Sequence, residues 1–114
     1  MTTRAHLPNR RPHETFSFRH WNMDYVVGLG RSSSGAFVSE VFLNCGKSGD
    51  QAETLAKDSA VLLSLALQYG VPISAMSRAI TRDTKGAPQG PIGALLDMIA
   101  SEEAQLARAV GDLG

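Results

Sequence analysis

The sequence has a single cysteine, no long hydrophobic run and no net charge, and each absence excludes a class of protein. Cys45 alone can form neither an intrachain disulfide nor an all-thiolate metal site. No apolar stretch approaches the roughly 18 residues of a membrane span. Eleven basic residues balance eleven acidic ones, so no excess positive charge can hold nucleic acid nonspecifically. The first residues lack the apolar segment of a secretion signal, and we therefore expect a cytoplasmic protein.

The charge that is present is distributed unevenly along the chain. Residues 1–20 hold four arginines and all three histidines against Glu14 alone, whereas the charged residues of the segment 97–112 are mostly acidic. With Pro8 and Pro12, residues 1–13 suit a basic extended arm, which is either a solvated leader or a contact for a phosphate or a partner. The histidines lie seven residues apart, a spacing that defines no metal geometry in an extended arm, so we predict no metal site.

Three segments rich in β-forming residues follow the arm. They cover residues 15–21, 24–31 and 36–44, with short turn-forming stretches between them, and this order is typical of an antiparallel meander. In the third segment Val41 and Leu43 would share a face with Phe37 and Ser39, opposite a face that also carries apolar residues. We therefore predict that one face of the sheet packs on helices and that the other meets a partner subunit.

The remainder of the sequence has helical character. Ser48 or Asp50 can cap a helix that is apolar nearly all round after residue 59, so we expect that helix to be buried and to end at Gly70. A short helix over 73–80 and a final helix from Pro91 complete the fold, with a C-terminal helical tail over 101–114 that is amphipathic or frayed. The predicted class is α+β: a three-stranded antiparallel meander followed by a buried helix, a short helix and a C-terminal helix packed on one face.

Three stretches of the sequence resemble a known family. They are EVFLNCGKSG at 40–49, DSAVLLSLALQYGVP at 58–72 and GPIG at 90–93. They are similar to the TSCPD domain, which is best known near the C-terminus of adenosylcobalamin-dependent ribonucleotide reductases. The resemblance implies a TSCPD-like domain over 14–100 and a role in nucleotide metabolism, with a ribonucleotide reductase chain as a partner.

The chemistry of the long reductases has no counterpart in this sequence. Those enzymes use a radical-bearing cysteine, a cobalamin site and a pair of thiols, and one cysteine in 114 residues cannot supply them. The cysteine motif that names the domain is also missing, because Cys45 precedes the Gly-Lys-Ser turn instead. We therefore predict no cofactor, no catalytic residue and no reduction of ribonucleotides by this chain alone.

The stretch Gly46-Lys47-Ser48-Gly49 is the candidate ligand loop. A strand that enters a glycine-rich turn before a helix places backbone N–H groups and a lysine together, which suits an anion. It is not a Walker A loop, since Val41 occupies the position of that motif's first glycine. The predicted ligand-binding residues are Arg19, Arg31, Asn44, Gly46, Lys47, Ser48 and Gly49. The alternative is turn and capping chemistry, in which the Asp50 carboxylate takes the same amides.

Other side chains admit a structural and a functional interpretation. Cys45 is either a small buried hydrophobe or a reactive thiol beside Lys47. The aromatic residues are either core and interface or, with an arginine, a nucleobase platform; they are Trp21, Tyr25, Phe37 and Phe42. The polar corner formed by Arg78, Arg82, Asp83 and Lys85 is interpreted as a solvated loop.

Two functions follow from these patterns. The first is a free-standing, non-catalytic TSCPD-like module that acts as an accessory or interaction domain. The second is a small-molecule binder that senses or sequesters a nucleotide-like phosphate ligand. An enzyme is disfavoured because no nucleophile, base and oxyanion site can be assembled from the sequence. Apolar helices and an ambivalent sheet in so short a chain also predict a homodimer.

Overall fold

The computed structural model describes residues 13–31, 37–45 and 51–113, with side chains through residue 109. The chain divides into two compact units, Met1–Val71 and Pro72–Gly114. The first unit holds strands β1 (His13–His20), β2 (Met23–Arg31) and β3 (Val38–Cys45) and helix α1 (Gln51–Gln68). The second holds helices α2 (Ile73–Ala79) and α3 (Pro91–Leu113). A three-stranded antiparallel sheet followed by three helices confirms the predicted α+β class.

A two-residue turn joins β1 to β2. Trp21 and Asn22 both have positive φ, 49° and 65°, and His20 pairs with Met23 across the turn. This is the geometry of a type I′ turn, whose twist matches that of the flanking strands. The assignment of Trp21 to the first predicted strand is therefore wrong, because Trp21 is not a residue type that normally signals a left-handed turn.

Strand β3 carries an irregularity that changes which residues are buried. Arg31 pairs with Val38 whereas the preceding Gly30 pairs with Glu40, so Ser39 is the extra residue of a β-bulge. The bulge brings Val38 to the buried side together with Val41. The strict alternation predicted for this strand is therefore wrong at its start, and Phe37 lies before the strand with two thirds of its surface exposed.

The sheet has one buried and one exposed face. The buried face carries Tyr25, Val27, Leu29, Val41, Leu43 and Cys45, all under 9% exposed. The exposed face carries Val26 and Phe42, which are about half exposed. At Gly28 on this face an added Cβ would lie 3.0 Å from the His13 ring, so the glycine leaves room for that ring beside Phe42. The predicted contact of this face with a partner subunit stays a prediction.

Helix α1 packs against β3 through one face only. Ala56, Ala60 and Leu63 are buried, but Leu55 and Leu62 are 58% and 68% exposed. The expectation of a wholly buried helix therefore holds for one side of α1. The helix ends as predicted: Gly70 has φ +89°, and the N–H groups of Gly70 and Val71 donate to the carbonyls of Leu67 and Ala66, which is a Schellman motif.

In the second unit α2 packs against α3. Ile73, Leu95, Leu96 and Ile99 are each at most 5% exposed. α3 begins at Pro91, where the missing N–H costs nothing, and continues across residue 100 to Leu113. The sequence-based boundaries near residues 13 and 100 stay predictions. Within the described ranges, no helix combines the length and the apolar character that a bilayer crossing requires.

Candidate functional site

A groove runs along the edge strand β3 where α1 packs against it. Its volume is about 390 Å³, which falls within the range of small-molecule sites. The lining residues are Glu40, Val41, Phe42, Leu43, Asn44, Lys57, Ala60, Val61, Ser64, Leu65 and Gln68. Because β3 ends at Cys45 and α1 begins at Gln51, the segment 46–50 connects the two walls of the groove along the chain.

Two polar side chains of α1 hold the strand in place. Ser64 Oγ accepts a hydrogen bond from the Val41 N–H at 2.8 Å and donates to the Val41 carbonyl at 3.0 Å. Gln68 Nε2 donates to the Ser39 carbonyl at 3.1 Å. Both side chains are buried, so they satisfy backbone groups that an edge strand would otherwise leave unpaired.

Lys57 and Asn44 lie nearer solvent than Ser64 and Gln68. Lys57 forms an ion pair with Glu53 one helical turn earlier, with Nζ 2.7 Å from Oε1, and half of the Lys57 side chain remains exposed. Asn44 is exposed on β3. Glu40 and Gln68 also line the groove, so the described part of this site offers one cation, one carboxylate and two amides. This set suits a hydrogen-bonding ligand with an anionic group near Lys57.

The structure brings together only part of the predicted ligand set. Asn44 lies in the groove, whereas Gly46, Lys47, Ser48 and Gly49 lie outside the described residues and their role stays a prediction. Arg19 pairs with Asp24 on the exposed face, with Nη1 3.1 Å from Oδ1. Arg31 pairs with Glu14 at the far end of the sheet, where its Nε donates to Oε1 at 3.0 Å. The two arginines therefore do not form one site.

The aromatic side chains do not converge on a nucleobase platform either. Tyr25 is buried and stacks on Phe18, with ring centroids 5.5 Å apart. Trp21 is exposed at the hairpin turn and stacks on His20 at 5.3 Å, and Phe42 lies against His13 on the exposed face. Cys45 is buried at the end of β3, which confirms its interpretation as a small buried hydrophobe.

Sequence reasoning missed Lys57, Ser64 and Gln68. Ser64 and Gln68 are polar residues four apart in an otherwise apolar helical run, and that spacing places them on one side of a helix. A polar pair on one face of a helix interior is a signal that the side chains bond to a neighbouring element. No local pattern identifies that element as β3, because Ser64 and Val41 are 23 positions apart.

The interpretation of the polar corner as a solvated loop is wrong for Arg82. Its Nη2 donates to Asp97 Oδ1 at 2.7 Å and to the Ser77 carbonyl at 2.7 Å, and its Nη1 donates to the Gly86 carbonyl. The Ser77 hydroxyl also donates to Asp97. Arg82 thus ties the loop to both α2 and α3. In the same loop the Asp83 carboxylate accepts from two backbone N–H groups.

This network predicts a dependence of stability on pH. The hydrogen bond from Arg82 holds the pKa of Asp97 below its ordinary value; burial opposes this shift, and the bond from Ser77 adds to it. Because the pKa of Asp97 is lower in the folded than in the unfolded protein, its ionised carboxylate contributes its full stabilisation of the fold at pH values above the unfolded pKa of about 3.9. This contribution is lost as the pH falls through the folded-state pKa. We expect Asp97→Asn to be less stable than the wild type by a constant amount above about pH 5, with the gap closing in more acidic solution. Urea titrations of both proteins between neutral and acidic pH measure this, and a gap that does not change with pH would contradict it.

Within the described residues, no group of three or more His, Cys, Asp and Glu side chains is placed to hold a metal ion. The site is thus a groove in an α+β domain with few charged groups.

The TSCPD domain family matches residues 4–112, nearly the whole chain, and the chain belongs to that family. Searches of the curated proteins and of the solved structures found no significant match.

Proposed function

We propose that this chain serves nucleotide metabolism by binding rather than by catalysis, as an accessory or interaction domain that acts with a ribonucleotide reductase in the cytoplasm. Membership of the TSCPD family supports this role, since the domain is best known from those reductases. Fold and family alone do not define an activity. The proposal therefore also rests on what the side chains of the groove do.

The observation that carries the proposal is how the polar groups of the groove are used. Ser64 and Gln68, the buried polar residues of α1, are bonded to the backbone of β3, and Lys57 is paired with Glu53. A catalytic nucleophile needs a base in hydrogen-bond reach that is oriented by a third group. Side chains that hold the strand to the helix support a binding role, in which the groove and its rim recognise a partner or a ligand.

The experiment combines the purified chain with a purified ribonucleotide reductase that lacks its own TSCPD domain. We expect a stoichiometric complex by native mass spectrometry, no turnover of ribonucleotides by the chain alone, and a change in the rate of the reductase when the chain is added. Val61→Glu, on the exposed rim of the groove, is expected to weaken the complex, and Leu106→Glu, an exposed α3 residue, serves as the matched control. Turnover by the chain alone would contradict the proposal.

A nucleotide-like phosphate ligand in the groove is the second candidate. It is favoured by the volume of about 390 Å³ and by the presence of Lys57 and Asn44 on opposite walls of the groove. The predicted loop residues Lys47 and Ser48 follow Asn44 in the sequence, so a phosphate held there would be near the chain segment that joins the walls.

Isothermal titration with ATP, dATP and inorganic phosphate tests this second function. We expect Lys47→Ala and Lys57→Ala each to weaken binding about tenfold, since each removes one cation from the phosphate. Lys85→Ala removes the same charge from an exposed loop of the second unit and should leave binding unchanged. Equal affinity in all three variants would exclude the groove, and the absence of heat with every nucleotide would exclude this ligand class.

A further inference from the structure

The two edges of the sheet differ in whether their outward backbone groups have hydrogen-bond partners among the described residues. At one edge, Ser64 and Gln68 of α1 occupy the backbone groups of β3. At the other edge lies β1, whose one strand partner within the described residues is β2. His13, Thr15, Ser17 and Arg19 of β1 are all exposed. β1 therefore offers the edge at which a further strand can be added.

The register shows which backbone groups of β1 point outward. Val41 directs its N–H and carbonyl to Ser64 rather than to β2, so Val41 and its partner Leu29 form a non-hydrogen-bonded pair. Leu29 must then direct its own groups toward β1, where it faces Glu14. By alternation, Glu14 bonds to β2 and the next residue along β1 faces the open edge.

The hairpin turn indicates independently which residues of β1 bond to β2. A two-residue turn closes on a hydrogen-bonded pair, here His20 and Met23. Hydrogen-bonded pairs recur at every second residue of an antiparallel strand, so the even-numbered residues of β1, counted back from His20, bond to β2. The N–H and carbonyl groups of Thr15, Ser17 and Arg19 therefore point to the open edge.

β1 lacks several of the features that keep edge strands from pairing, although Glu14 and Arg19 give it two charged side chains. It has eight residues with no proline and no lysine, and its register with β2 contains no bulge; such features are the usual protection of an edge. Phe16 and Phe18 are only half-buried, on the side of the sheet that is otherwise buried. A strand added at this edge would bury more of both rings.

We propose that β1 pairs antiparallel with β1 of a second copy of this chain, about a two-fold axis at Ser17, to form a continuous six-stranded sheet. In this register Glu14 faces the second copy's His20, Phe16 faces its Phe18, and Thr15 faces its Arg19. Each pair occurs twice by symmetry. Aromatic cross-strand pairs are stabilising, and the His20 imidazole can donate a hydrogen bond to the Glu14 carboxylate. Moving the axis to Phe16 would place the Glu14 carboxylate opposite the apolar ring of Phe18 and Arg19 opposite His13, so electrostatic complementarity selects the axis at Ser17.

Sedimentation and amide hydrogen exchange on the full chain test the pairing. We expect a dimer, with exchange at Thr15 and Ser17 slowing as the protein concentration rises. Ser17→Pro removes an N–H that β2 does not use, together with both hydrogen bonds at the axis, and should weaken the dimer roughly hundredfold. Ser17→Ala keeps the N–H and should keep the dimer. A monomer at all concentrations, or a dimer that tolerates Ser17→Pro, would overturn the proposal.

Two substitutions at Thr15 test the register without relying on proline. Thr15 faces Arg19 of the second copy, and this pair occurs twice across the interface. Thr15→Lys would place like charges opposite each other and should weaken the dimer about tenfold, whereas Thr15→Glu would place opposite charges there and should strengthen it. Thr15 is exposed, so circular dichroism should show the same fold in both variants. If both substitutions change the affinity of the dimer in the same direction, the proposed register is wrong. If β1 binds strand-forming peptides but no second copy of the chain, the choice of partner is wrong.

Discussion

Replacing Gly93 with alanine is expected to lower the free energy of unfolding by about 1–3 kcal/mol, the usual cost of an overpacked core. A Cβ at this position would lie 2.3 Å from Ile80 Cδ1 and 3.0 Å from Pro88 Cβ. The Ile80 side chain can rotate away, but the ring of Pro88 cannot. Gly93 is therefore required for the close approach of α3 to the preceding loop. Urea denaturation monitored by circular dichroism measures the loss.

Two further variants separate the collision from a general effect of alanine at the start of α3. Gly90→Ala adds a Cβ that meets nothing within 4 Å, and it should cost less than about 1 kcal/mol, the typical effect at an N-cap. Ile80→Val removes the colliding Cδ1, so Gly93→Ala should cost less in the Ile80→Val background, by a coupling of about 1 kcal/mol. An equal cost in both backgrounds would show that the contact with Ile80 is not the cause.

Replacing Ser64 with alanine should also destabilise the protein by about 1–3 kcal/mol. The hydroxyl serves both the N–H and the carbonyl of Val41, and Val41 is 2% exposed. Without the hydroxyl, both backbone groups would remain buried without a partner from α1. The loss is expected in urea denaturation, together with faster hydrogen exchange at the Val41 amide because the edge of β3 opens more readily.

Ser59→Ala is the matched control, since Ser59 lies on the same helix and makes no hydrogen bond to β3 in the structure. It should change the free energy of unfolding by less than about 0.5 kcal/mol. If the two serine variants are equally stable, the bonds from Ser64 to β3 contribute nothing and the groove is held by apolar contacts alone.

Local sequence patterns predicted most of the secondary structure. Alternating β-formers gave three strands, and Gly70 marked the end of α1, because both signals act between residues that are close in the chain. The turn at Trp21 and the bulge at Ser39 were missed for the opposite reason. Neither residue carries a local signal, and each conformation is fixed by the pairing of two strands.

The candidate site shows the same division. The sequence pattern predicted that Asn44 lies beside an anion-binding loop, but it did not indicate that any residue of α1 bonds to β3. It also assigned Arg82 to solvent, although the Asp97 that binds it lies 15 positions away. Side-chain partners at such separations depend on how helices and strands pack, which no short window of sequence contains.

The sequence by itself determined the α+β class, the order of three strands and three helices, and the resemblance to the TSCPD family, since each depends on residue types at short spacing. Only the tertiary structure decided that α1 covers one edge of the sheet, that a groove forms beside it, and that β1 has no second strand partner among the described residues. The physical reason is that a buried backbone group must find a partner. Which side chain supplies that partner is settled only when distant segments pack.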